Sequence, residues 1–549
     1  MKFLKEKISN NKFFVLVFIT VIAITVMPLM QKSIPVADDF EFHFARIQSI
    51  ADSLKLGVFP VKVHPSMANS YGYGSGLFYP NLILYIPALL VLLTQDLVLS
   101  YSLFIFILLI FTYILTYYSI KAVTKDSKLA LMGTALIMFS KNLAFNLYDR
   151  TALGELLGFI FMIPVICGMY NYVHDDFDKP WILFIGFLGA IFSHLISTLI
   201  CIVYAVIYFI IYIKSSIENP KKILKLALVA LVVVLISSSF WIPMLEQMAT
   251  GKFNFSDPWT NISNESYCLY DLLGTGRFSI GLIMTLCTPL FIYAVFDKSI
   301  DKKYKFFIGL TLIIMLLMIL HPFWIITNSF MNTIQFKWRL LGIVTILYVI
   351  SMTYLVPKYS EELKFNLNHV IAFIIILAFG IGTVQITNIV ESHDHRINEE
   401  IMPSLFISEF SIGGGQEYLP IETKFSDLQY PNFAVTNNSK LIPVEKSGLN
   451  TKLTIDQKEY KSVEIPLLYY YGYVANMTAE DGSTIPLKIS KSEKGLVKVD
   501  IPTDTLGTVQ TWYNGTKLQK ISYIISFITA ILTIGYIFIK KCISKKASK

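Results

Sequence analysis

The chain has 549 residues, of which 54% are hydrophobic and only 15% are charged. Soluble proteins carry charge on roughly a quarter of their residues, so this composition excludes an ordinary soluble globular protein. The formal net charge of +8 does not indicate nucleic-acid binding, because the lysines form short clusters between long apolar runs. These features predict a mainly α-helical, polytopic membrane protein.

Apolar segments of the length that a membrane-spanning helix needs recur along the chain, and we predict about twelve spans. Their approximate limits are 13–30, 97–120, 129–145, 152–173, 181–195, 196–213, 223–244, 279–297, 305–320, 338–357, 367–390 and 521–539. Lysine clusters mark the cytoplasmic side, which places both termini inside the cell. Residues 31–96, 141–151, 245–278, 321–337 and 391–520 are then external.

Two segments fit this topology only with an added assumption. Residues 79–93 are apolar but short and contain Pro80 and Pro87, so we predict a helix lying at the outer interface. Residues 181–213 are long for one span and short for two. The sidedness of the lysine clusters requires two, with a turn near Ser193 and His194.

The stretch 36–80 follows the first span and contains many side chains that can take part in chemistry. Phe40, Phe44 and Ile47 recur at helical spacing, which predicts an amphipathic helix with Asp38 and Asp39 at its start. Carboxylates are stabilised at that end of a helix by the macrodipole. An alternative is that Asp38 only caps the helix and Asp39 is a solvated acid of its first turn.

Residues 391–520 differ in composition from the rest of the chain. Runs such as 463–474 and 496–501 are rich in strand-forming residues and are bounded by the turn dipeptides Asp481-Gly482 and Lys494-Gly495. We therefore predict three domains. Residues 1–390 form a transmembrane domain with the external loop 31–96, residues 391–520 form a small external β-rich domain, and residues 521–549 form a final span with a basic cytoplasmic tail.

Polar residues that an apolar span would not select gather at the predicted external ends of the spans. Ionisable groups at such positions usually face a cavity or a partner. The set comprises Arg150, Glu155, His194, Glu246, Gln335 and Arg339. Each has a simpler interpretation: Arg150 and Glu155 pair with each other, Arg339 reaches lipid head groups, and His194 is a hydrogen-bonded packing residue. All of these residues lie on the same predicted side of the membrane, which favours a shared functional site over separate packing roles.

Such a set suits transfer chemistry on a phosphorylated substrate in the membrane. A carboxylate can accept the proton of an attacking hydroxyl. Arginine can neutralise the charge that develops on a phosphate leaving group. Paired acids can instead hold a divalent cation that does the same work.

Several motifs of this chain, in their order, resemble a known group of bacterial membrane proteins. They are DDFEFHFARI with GVFPVKVHPSMANSYGYGSGLFYP, YDRTALGELL, FSHLIST, FWIPMLEQ, IQFKWRLL and GGGQEYLP. The layout is similar to that of GT-C glycosyltransferases, which use polyprenyl-phosphate-linked sugars. The closer resemblance is to YfhO-like proteins and to the group labelled 6-pyruvoyl-tetrahydropterin synthase related. The chain lacks the histidine triad of a pterin enzyme, so we attach no activity to that label.

The resemblance implies roles for individual residues. Asp38 or Asp39 would be the catalytic acid–base group, with Asp39 preferred. Substrate or phosphate would be bound by Arg46, His64, Tyr79, Arg150, Glu155, His194, Glu246, Gln335 and Arg339. YDRTALGE is similar to an acidic loop of oligosaccharyltransferases that helps to bind metal, although its spacing departs from that family. A divalent cation such as Mg²⁺ or Mn²⁺ would therefore use Asp39, Asp149 or Glu155, if one binds.

The resemblance implies a glycosyltransferase in the bacterial cytoplasmic membrane. It would move a sugar from a polyprenyl-phosphate donor to an external glycan or lipid acceptor, with membrane lipids around it and no nucleic-acid partner. A different class is a non-catalytic transporter or export component for lipid-linked sugars or polymers. A transporter would need equally dense polar groups on the inner side, and the predicted spans show few. A third possibility is an inactive scaffold for a partner transferase.

Overall fold

A computed structural model describes residues 15, 17–27, 34–35, 37–255, 261–392, 396–397 and 409–547. In these ranges the chain is mainly helical and has β-sheets in its C-terminal part. The chain divides into two compact units. The first comprises Met1–Phe40, Val98–Ala230 and Trp259–Asn398, and the second comprises Glu41–Leu97, Leu231–Pro258 and Glu399–Lys549.

The first 144 residues contain seven α-helices within the described ranges. They are α1 (Val17–Val26), α2 (Phe40–Lys55), α3 (Ser75–Phe78), α4 (Tyr85–Thr94), α5 (Leu97–Thr124), α6 (Ser127–Met138) and α7 (Lys141–Ala144). A π-helical turn over Phe145–Asp149 follows α7 directly. The Asp126 side chain caps α6 by accepting hydrogen bonds from the backbone N–H groups of Lys128 and Leu129.

Thirteen more helices follow in the described part of the chain. They are α8 (Leu153–His174), α9 (Pro180–Ile191), α10 (Leu195–Ile211), α11 (Ile213–Ile217), α12 (Pro220–Ile236), α13 (Ser238–Thr250), α14 (Leu269–Leu273), α15 (Leu282–Phe296), α16 (Lys302–Ile319), α17 (His321–Met331), α18 (Leu341–Glu362), α19 (Leu367–Glu391) and α20 (Lys517–Ala547). The chain turns between α9 and α10 at the predicted place, next to His194.

Five of the described helices are long and apolar enough to cross a membrane, namely α5, α8, α18, α19 and α20. Three further pairs of helices qualify if each bent pair forms one span, which gives up to eight. The twelve predicted spans are therefore not confirmed. Some predicted spans correspond to shorter helices, such as α9 with 12 residues and α15 with 15 residues. Others correspond to pairs of helices that are separated by a sharp bend. The interfacial position of residues 79–93 stays a prediction.

Helix α8 forms the centre of the first unit, since its whole apolar window is buried. Glycines let α9 approach it closely. A Cβ atom on Gly168 would lie 2.9 Å from the backbone of Leu183, and one on Gly186 would lie 2.7 Å from the backbone nitrogen of Val165. Small residues at such contacts let two helix backbones pack without intervening side chains. The same unit contains the short antiparallel pair β1 (Ile34–Pro35) and β2 (Arg396–Ile397).

The second unit contains two antiparallel five-stranded sheets, as predicted for a C-terminal β-rich domain. The strands are β3 (Phe433–Thr436), β4 (Leu441–Pro443), β5 (Glu445–Ser447), β6 (Asn450–Ile455), β7 (Ser462–Leu468), β8 (Tyr473–Ala479), β9 (Thr484–Leu487), β10 (Ile489–Lys491), β11 (Leu496–Asp500) and β12 (Gly507–Tyr513). Their orders are β10-β11-β7-β3-β4 and β5-β6-β12-β8-β9. Gly482 and Gly495 take positive φ at two of the connections, in agreement with the predicted turns.

The core of the second unit also includes residues from the segment Glu41–Leu97, which contains most of α2 and all of α3 and α4. Tyr73 is fully buried, and its hydroxyl donates to the carbonyl oxygens of Ile412 and Glu417. Phe78 stacks on Tyr418 with ring centroids 5.5 Å apart. Residues 41–97 therefore pack in one unit with the β-sheets, whereas the predicted domain limits grouped them with the transmembrane helices. The reason is their aromatic content, which needs an apolar partner to bury it.

Candidate functional site

Asp38 and Asp39 lie in the turn that precedes α2, within the first unit, and arginines from distant segments reach both. Arg277 donates through Nη2 to both oxygens of Asp38, at 3.0 and 2.9 Å. Its Nε lies 3.0 Å from Oδ1 of Asp149, the last residue of the π-helical turn. One guanidinium thus joins two acidic segments that are far apart in the sequence.

Arg150 is the centre of the site. Its side chain is only 7% exposed and contacts three carboxylates. Nη1 lies 2.8 Å from Glu155, Nη2 lies 3.3 Å from Asp39, and Nε lies 3.4 Å from Asp38. The backbone N–H of Asp39 also donates to the carbonyl of Arg150 at 2.9 Å. The acidic turn before α2 is therefore fastened to the loop before α8 by main chain and side chain together.

Glu155 lies in the first turn of α8 and is shared by two arginines. Its second oxygen accepts from Nε of Arg339 at 2.7 Å. Arg339 also donates to the carbonyl of Ile334 at 2.8 Å and to the side chain of Gln335. Arg150 and Glu155 do pair, as one alternative interpretation expected. Arg339 engages the protein through all three contacts, so reaching toward lipid is not its role in this structure.

These contacts form one continuous cluster, which we call the ion-pair network. It runs Asp149–Arg277–Asp38–Arg150–Glu155–Arg339, with Asp39 as a branch on Arg150. Charged hydrogen bonds of this kind are shorter and stronger than neutral ones. The network fixes the direction of each guanidinium.

Asp39 is the carboxylate that the network holds least tightly, by a single contact of 3.3 Å. Burial raises the pKa of its carboxyl above the usual range, while the charge of Arg150 opposes that rise. The 37% exposure of the side chain limits the effect, because water screens the charge. Asp39 is thus a solvent-accessible carboxylate whose basicity is increased by its surroundings.

His194 is the N-cap residue of α10, and the charge of Glu155 acts on its imidazole. Its Nδ1 accepts from the backbone N–H of Ser197 at 3.3 Å and lies 2.9 Å from that residue's hydroxyl. Burial lowers the pKa of His194 to about 3; Glu155 opposes the shift, whereas Arg339 and Arg150 reinforce it. The imidazole is neutral at physiological pH, so it can exchange hydrogen bonds without adding charge.

The three predicted metal ligands face arginines instead of one another. Asp39, Asp149 and Glu155 each contact a guanidinium within 3.3 Å. Among the described residues, no three His, Cys, Asp or Glu side chains gather in a way that could hold a metal ion. The side chains as arranged do not fit a divalent cation, and arginine supplies the positive charge here.

Four predicted binding residues belong to the second unit, and their contacts are within it. Arg46 is fully buried, donates to the carbonyl of Pro80 at 2.8 Å, and lies 4.5 Å from the ring of Tyr79. His64 is fully buried, and burial followed by the charge of Arg46 lowers its pKa well below the usual value. Glu246 accepts from the hydroxyl of Thr516 at 2.5 Å. Binding roles for these four residues stay predictions.

Sequence reasoning missed Arg277, although a compositional signal was present. Only five of the 46 basic residues are arginine, and three of the five form the ion-pair network. In a chain that uses lysine nearly everywhere else, an arginine in a predicted external loop is a criterion for a site residue, because its planar fork of donors suits several acceptors at once. Arg277 stands in the predicted external loop 245–278 and satisfies that criterion.

The chain is thus a helical membrane protein that has a β-sheet domain and a network of arginines and acidic residues. No family model matches the sequence. An uncharacterized protein of Lactococcus lactis subsp. cremoris (strain MG1363) is 23% identical over 605 aligned positions, which cover 99% of this chain and 97% of the relative.

Two solved structures show limited similarity to the chain. One is the arabinofuranosyltransferase AftD from Mycobacteria, with a TM-score of 0.42 and 10% identity over 70% of this chain. The other is the oligosaccharyltransferase of Archaeoglobus fulgidus, with a TM-score of 0.36 and 10% identity over 70% of this chain. The chain covers 27% and 54% of their respective lengths. At these scores neither similarity establishes a shared fold or activity.

Proposed function

We propose that this protein is a membrane glycosyltransferase of the GT-C type. It would move a sugar from a polyprenyl-phosphate donor to an acceptor hydroxyl on the outer face of the bacterial cytoplasmic membrane. The observation that carries the proposal is the pairing of a loosely held carboxylate, Asp39, with arginines that are already oriented by other acids. Sugar transfer from a lipid phosphate needs a base and a stabiliser of phosphate charge.

Asp39 is the better candidate for the base, and Asp38 has a different role. Asp38 is fixed by two hydrogen bonds from Arg277 and a contact with Arg150, so its lone pairs are largely occupied. Asp39 has a single side-chain contact, and burial raises the pKa of its carboxyl, which suits a proton acceptor. Asp38 would act as a positioning residue that holds both arginines in place.

The arginines would stabilise the leaving phosphate. Arg277 is 40% exposed, whereas Arg150 and Arg339 are 7% and 11% exposed, so Arg277 is the most accessible guanidinium of the network. Arginine presents a fork of N–H donors that matches phosphate oxygens. We assign first contact with the donor phosphate to Arg277, with Arg150 and Arg339 behind it.

The proposed step balances as a substitution at the anomeric carbon of the donor sugar. The acceptor oxygen forms a bond to that carbon while its proton passes to Asp39. The bond between the same carbon and the phosphate oxygen breaks, and the lipid phosphate leaves with the electron pair. The arginines then hold the negative charge that appears on the phosphate. The acceptor would be a surface glycopolymer or lipid.

The test is transfer by purified full-length protein supplied with a panel of labelled polyprenyl-phosphate sugars and membrane acceptors. We expect Asp39→Asn to lower product formation by about 10²-fold or more, the usual contribution of a general base. Asp38→Asn should also impair transfer because it releases the arginines. Asp52→Asn, an exposed acid on α2 that contacts Lys55, is the matched control and should retain activity.

Two outcomes would count against the proposal. Wild-type product levels from both Asp38→Asn and Asp39→Asn would remove their catalytic role. Movement of intact lipid-linked sugar across vesicles, with no new glycosidic bond formed by the wild-type protein, would instead support the transporter alternative.

A further inference from the structure

Helix α17 turns sharply away from α16 within the first unit. The two helices meet at 91°, and only Leu320 separates them. Trp324 holds the bend, because its side chain is fully buried and its Nε1 donates to the carbonyl of Leu317 at 2.7 Å. Carbonyls in the last turn of a helix have no partner within that helix, and this bond satisfies one of them. Pro322 suits the first turn of α17, where a backbone N–H is not needed.

The length of α16, which corresponds to the predicted span 305–320, puts this bend at one surface of the membrane. The helix has 18 residues and begins with Lys302 and Lys303. At 1.5 Å per residue it rises about 27 Å, close to the ~30 Å thickness of the hydrocarbon core. With its lysines at one boundary, its last residue reaches the opposite boundary. Membrane helices tilt by up to about 40° from the bilayer normal, so a helix at 91° to α16 lies within about 40° of the membrane plane.

One side of α17 is apolar and exposed. Ile325, Ile326 and Phe330 are 56%, 80% and 61% exposed and lie along one face of the helix. We call these three residues the α17 stripe. From Phe306 to Phe336 the chain contains no Asp, Glu, Lys or Arg, which is a longer stretch than the roughly 20 residues that one span needs. Apolar side chains of this size are unfavourable in water, so the stripe matches a lipid environment.

The end of α17 is attached to the rest of the first unit. The backbone N–H of Ile262 donates to Oδ1 of Asn332, the residue that follows the helix, at 3.0 Å. Arg339 donates through Nη1 to the carbonyl of Ile334 at 2.8 Å, and its Nε pairs with Glu155 of the ion-pair network at 2.7 Å. One guanidinium therefore joins the end of α17 to the network.

We propose that α17 lies flat in the membrane surface and that lipid acyl chains cover the α17 stripe. The surface is the one at the end of α16 opposite Lys302 and Lys303, which the predicted topology makes the outer surface. α17 is then neither the second half of a broken span nor a loop in water. Because Arg339 joins the end of α17 to the ion-pair network, the network lies near the level of the lipid head groups. This inference needs a membrane but does not depend on sugar transfer.

The test is the depth of a fluorescent amino acid placed in turn at Ile325, Ile326 and Phe330 of the full-length protein in phosphatidylcholine vesicles. The quenchers are aqueous iodide and two spin-labelled phosphatidylcholines, one labelled near the head group and one near the end of the acyl chain. We expect the shallow lipid label to be the strongest quencher at all three positions, with the same ratio of shallow to deep quenching. A fluorophore at Ile421, which is 50% exposed in the predicted external domain, is the control and should respond to iodide alone.

Three other outcomes would overturn the proposal. If α17 continued a span, Phe330 would differ in depth from Ile326 by about 6 Å, the rise of four helical residues, and the two positions would give different quenching ratios. Strong quenching by iodide at all three positions would place the helix in water. Protection from every quencher would mean that protein, such as a second copy of this chain, covers the stripe.

A pair of substitutions provides a second measurement. Ile326→Asp puts a carboxylate among acyl chains, where a charge is costly, and should lower the melting temperature of the protein in vesicles. Ile421→Asp makes the same change at the exposed control position and should leave the melting temperature unchanged, since surface substitutions in water usually cost little. Equal melting temperatures for the two variants would contradict lipid contact at the stripe. Neither measurement uses transfer activity, so a failure of the transferase proposal leaves this one standing.

Discussion

The arginines of the network do what lysines at the same positions could not do. Arg150 contacts three carboxylates at once, and Arg277 contacts two. A lysine ammonium is a compact point charge and cannot reproduce the geometry of a planar fork. This requirement explains why a chain so rich in lysine has three of its five arginines here.

The buried neutral state of His194 predicts a pH dependence of stability. Its pKa is about 3 in the folded protein, below the value near 6.5 expected for the unfolded chain. The unfolded state therefore binds more protons between these values. Stability from this residue is complete above about pH 6.5 and decreases as the pH falls toward 3, by up to about 1.4 kcal/mol per pH unit.

The measurement is thermal or denaturant unfolding at pH 7, 6, 5 and 4 with the variant His194→Asn. Asparagine can still cap α10 but does not titrate, so this variant should lose less stability on acidification than the wild type. Equal pH profiles for the two proteins would show that His194 is not buried in its neutral form.

Single residues were predictable from sequence where their chemical type was unusual for their position. Glu155 and Arg339 stood out as charges at the ends of apolar spans, and the structure places them in one ion pair. Asn142 and Asn146 did not stand out, because an asparagine near a predicted span end is unremarkable. Only the packing reveals that Nδ2 of Asn142 and Oδ1 of Asn146 are buried without a hydrogen-bond partner among the described residues.

At the level of helices, the contact between α8 and α9 depends on glycine. We predict that Gly168→Ala and Gly186→Ala each destabilise the protein by about 1–3 kcal/mol, the usual cost of overpacking, because the new methyl group would meet backbone atoms that cannot move aside. The measurement is the unfolding temperature of the purified variants.

Gly309→Ala on α16 is the control for this prediction. A Cβ atom there would have no neighbour within 4 Å, and alanine is the better helix former, so the variant should be neutral or slightly stabilised. If Gly168→Ala and Gly186→Ala behave like the control, the two helices are not packed as closely as described.

Apolar periodicity and composition predicted that helices exist, but not where many of them end. The bends between α12 and α13, at 64°, and between α6 and α7, at 41°, divide segments that the sequence predicted as single spans. Hydropathy measures only how apolar a segment is, so it does not register a change of direction inside it. The strands were predicted better, because Gly482 and Gly495 mark turns by their backbone freedom.

For the molecule as a whole, the predicted sidedness can be tested with its own cysteines. Cys268 is exposed and lies in a predicted external loop, whereas Cys167 and Cys201 are buried. We expect a membrane-impermeant maleimide to label Cys268 in intact cells, since exposed thiols react and buried ones do not. Cys268→Ser should abolish that labelling.

Cys542, in the predicted cytoplasmic tail, provides the internal comparison. It should be labelled only after the membrane is permeabilised. Labelling of Cys268 only under that condition would reverse the predicted topology and place the loop that carries Arg277 inside the cell.

The general architecture followed from sequence, whereas the grouping of its parts did not. Lysine clusters and apolar runs predicted a membrane protein, and strand-forming residues predicted the β-rich C-terminal part. That Tyr73 and Phe78 would join the core of the β-sheets could not be predicted, because their partners lie more than 300 residues away in the chain. Contacts of such long range leave no local pattern.

The different environments of α8 and α20 have a consequence for handling the protein. The apolar window of α8 is completely buried, whereas that of α20 is only 6% buried. The surroundings of α8 are therefore supplied by the protein itself, while those of α20 depend on whatever lipid or detergent coats it. The choice of solubilising agent should matter most for the C-terminal helix, and least for the helix that carries Glu155.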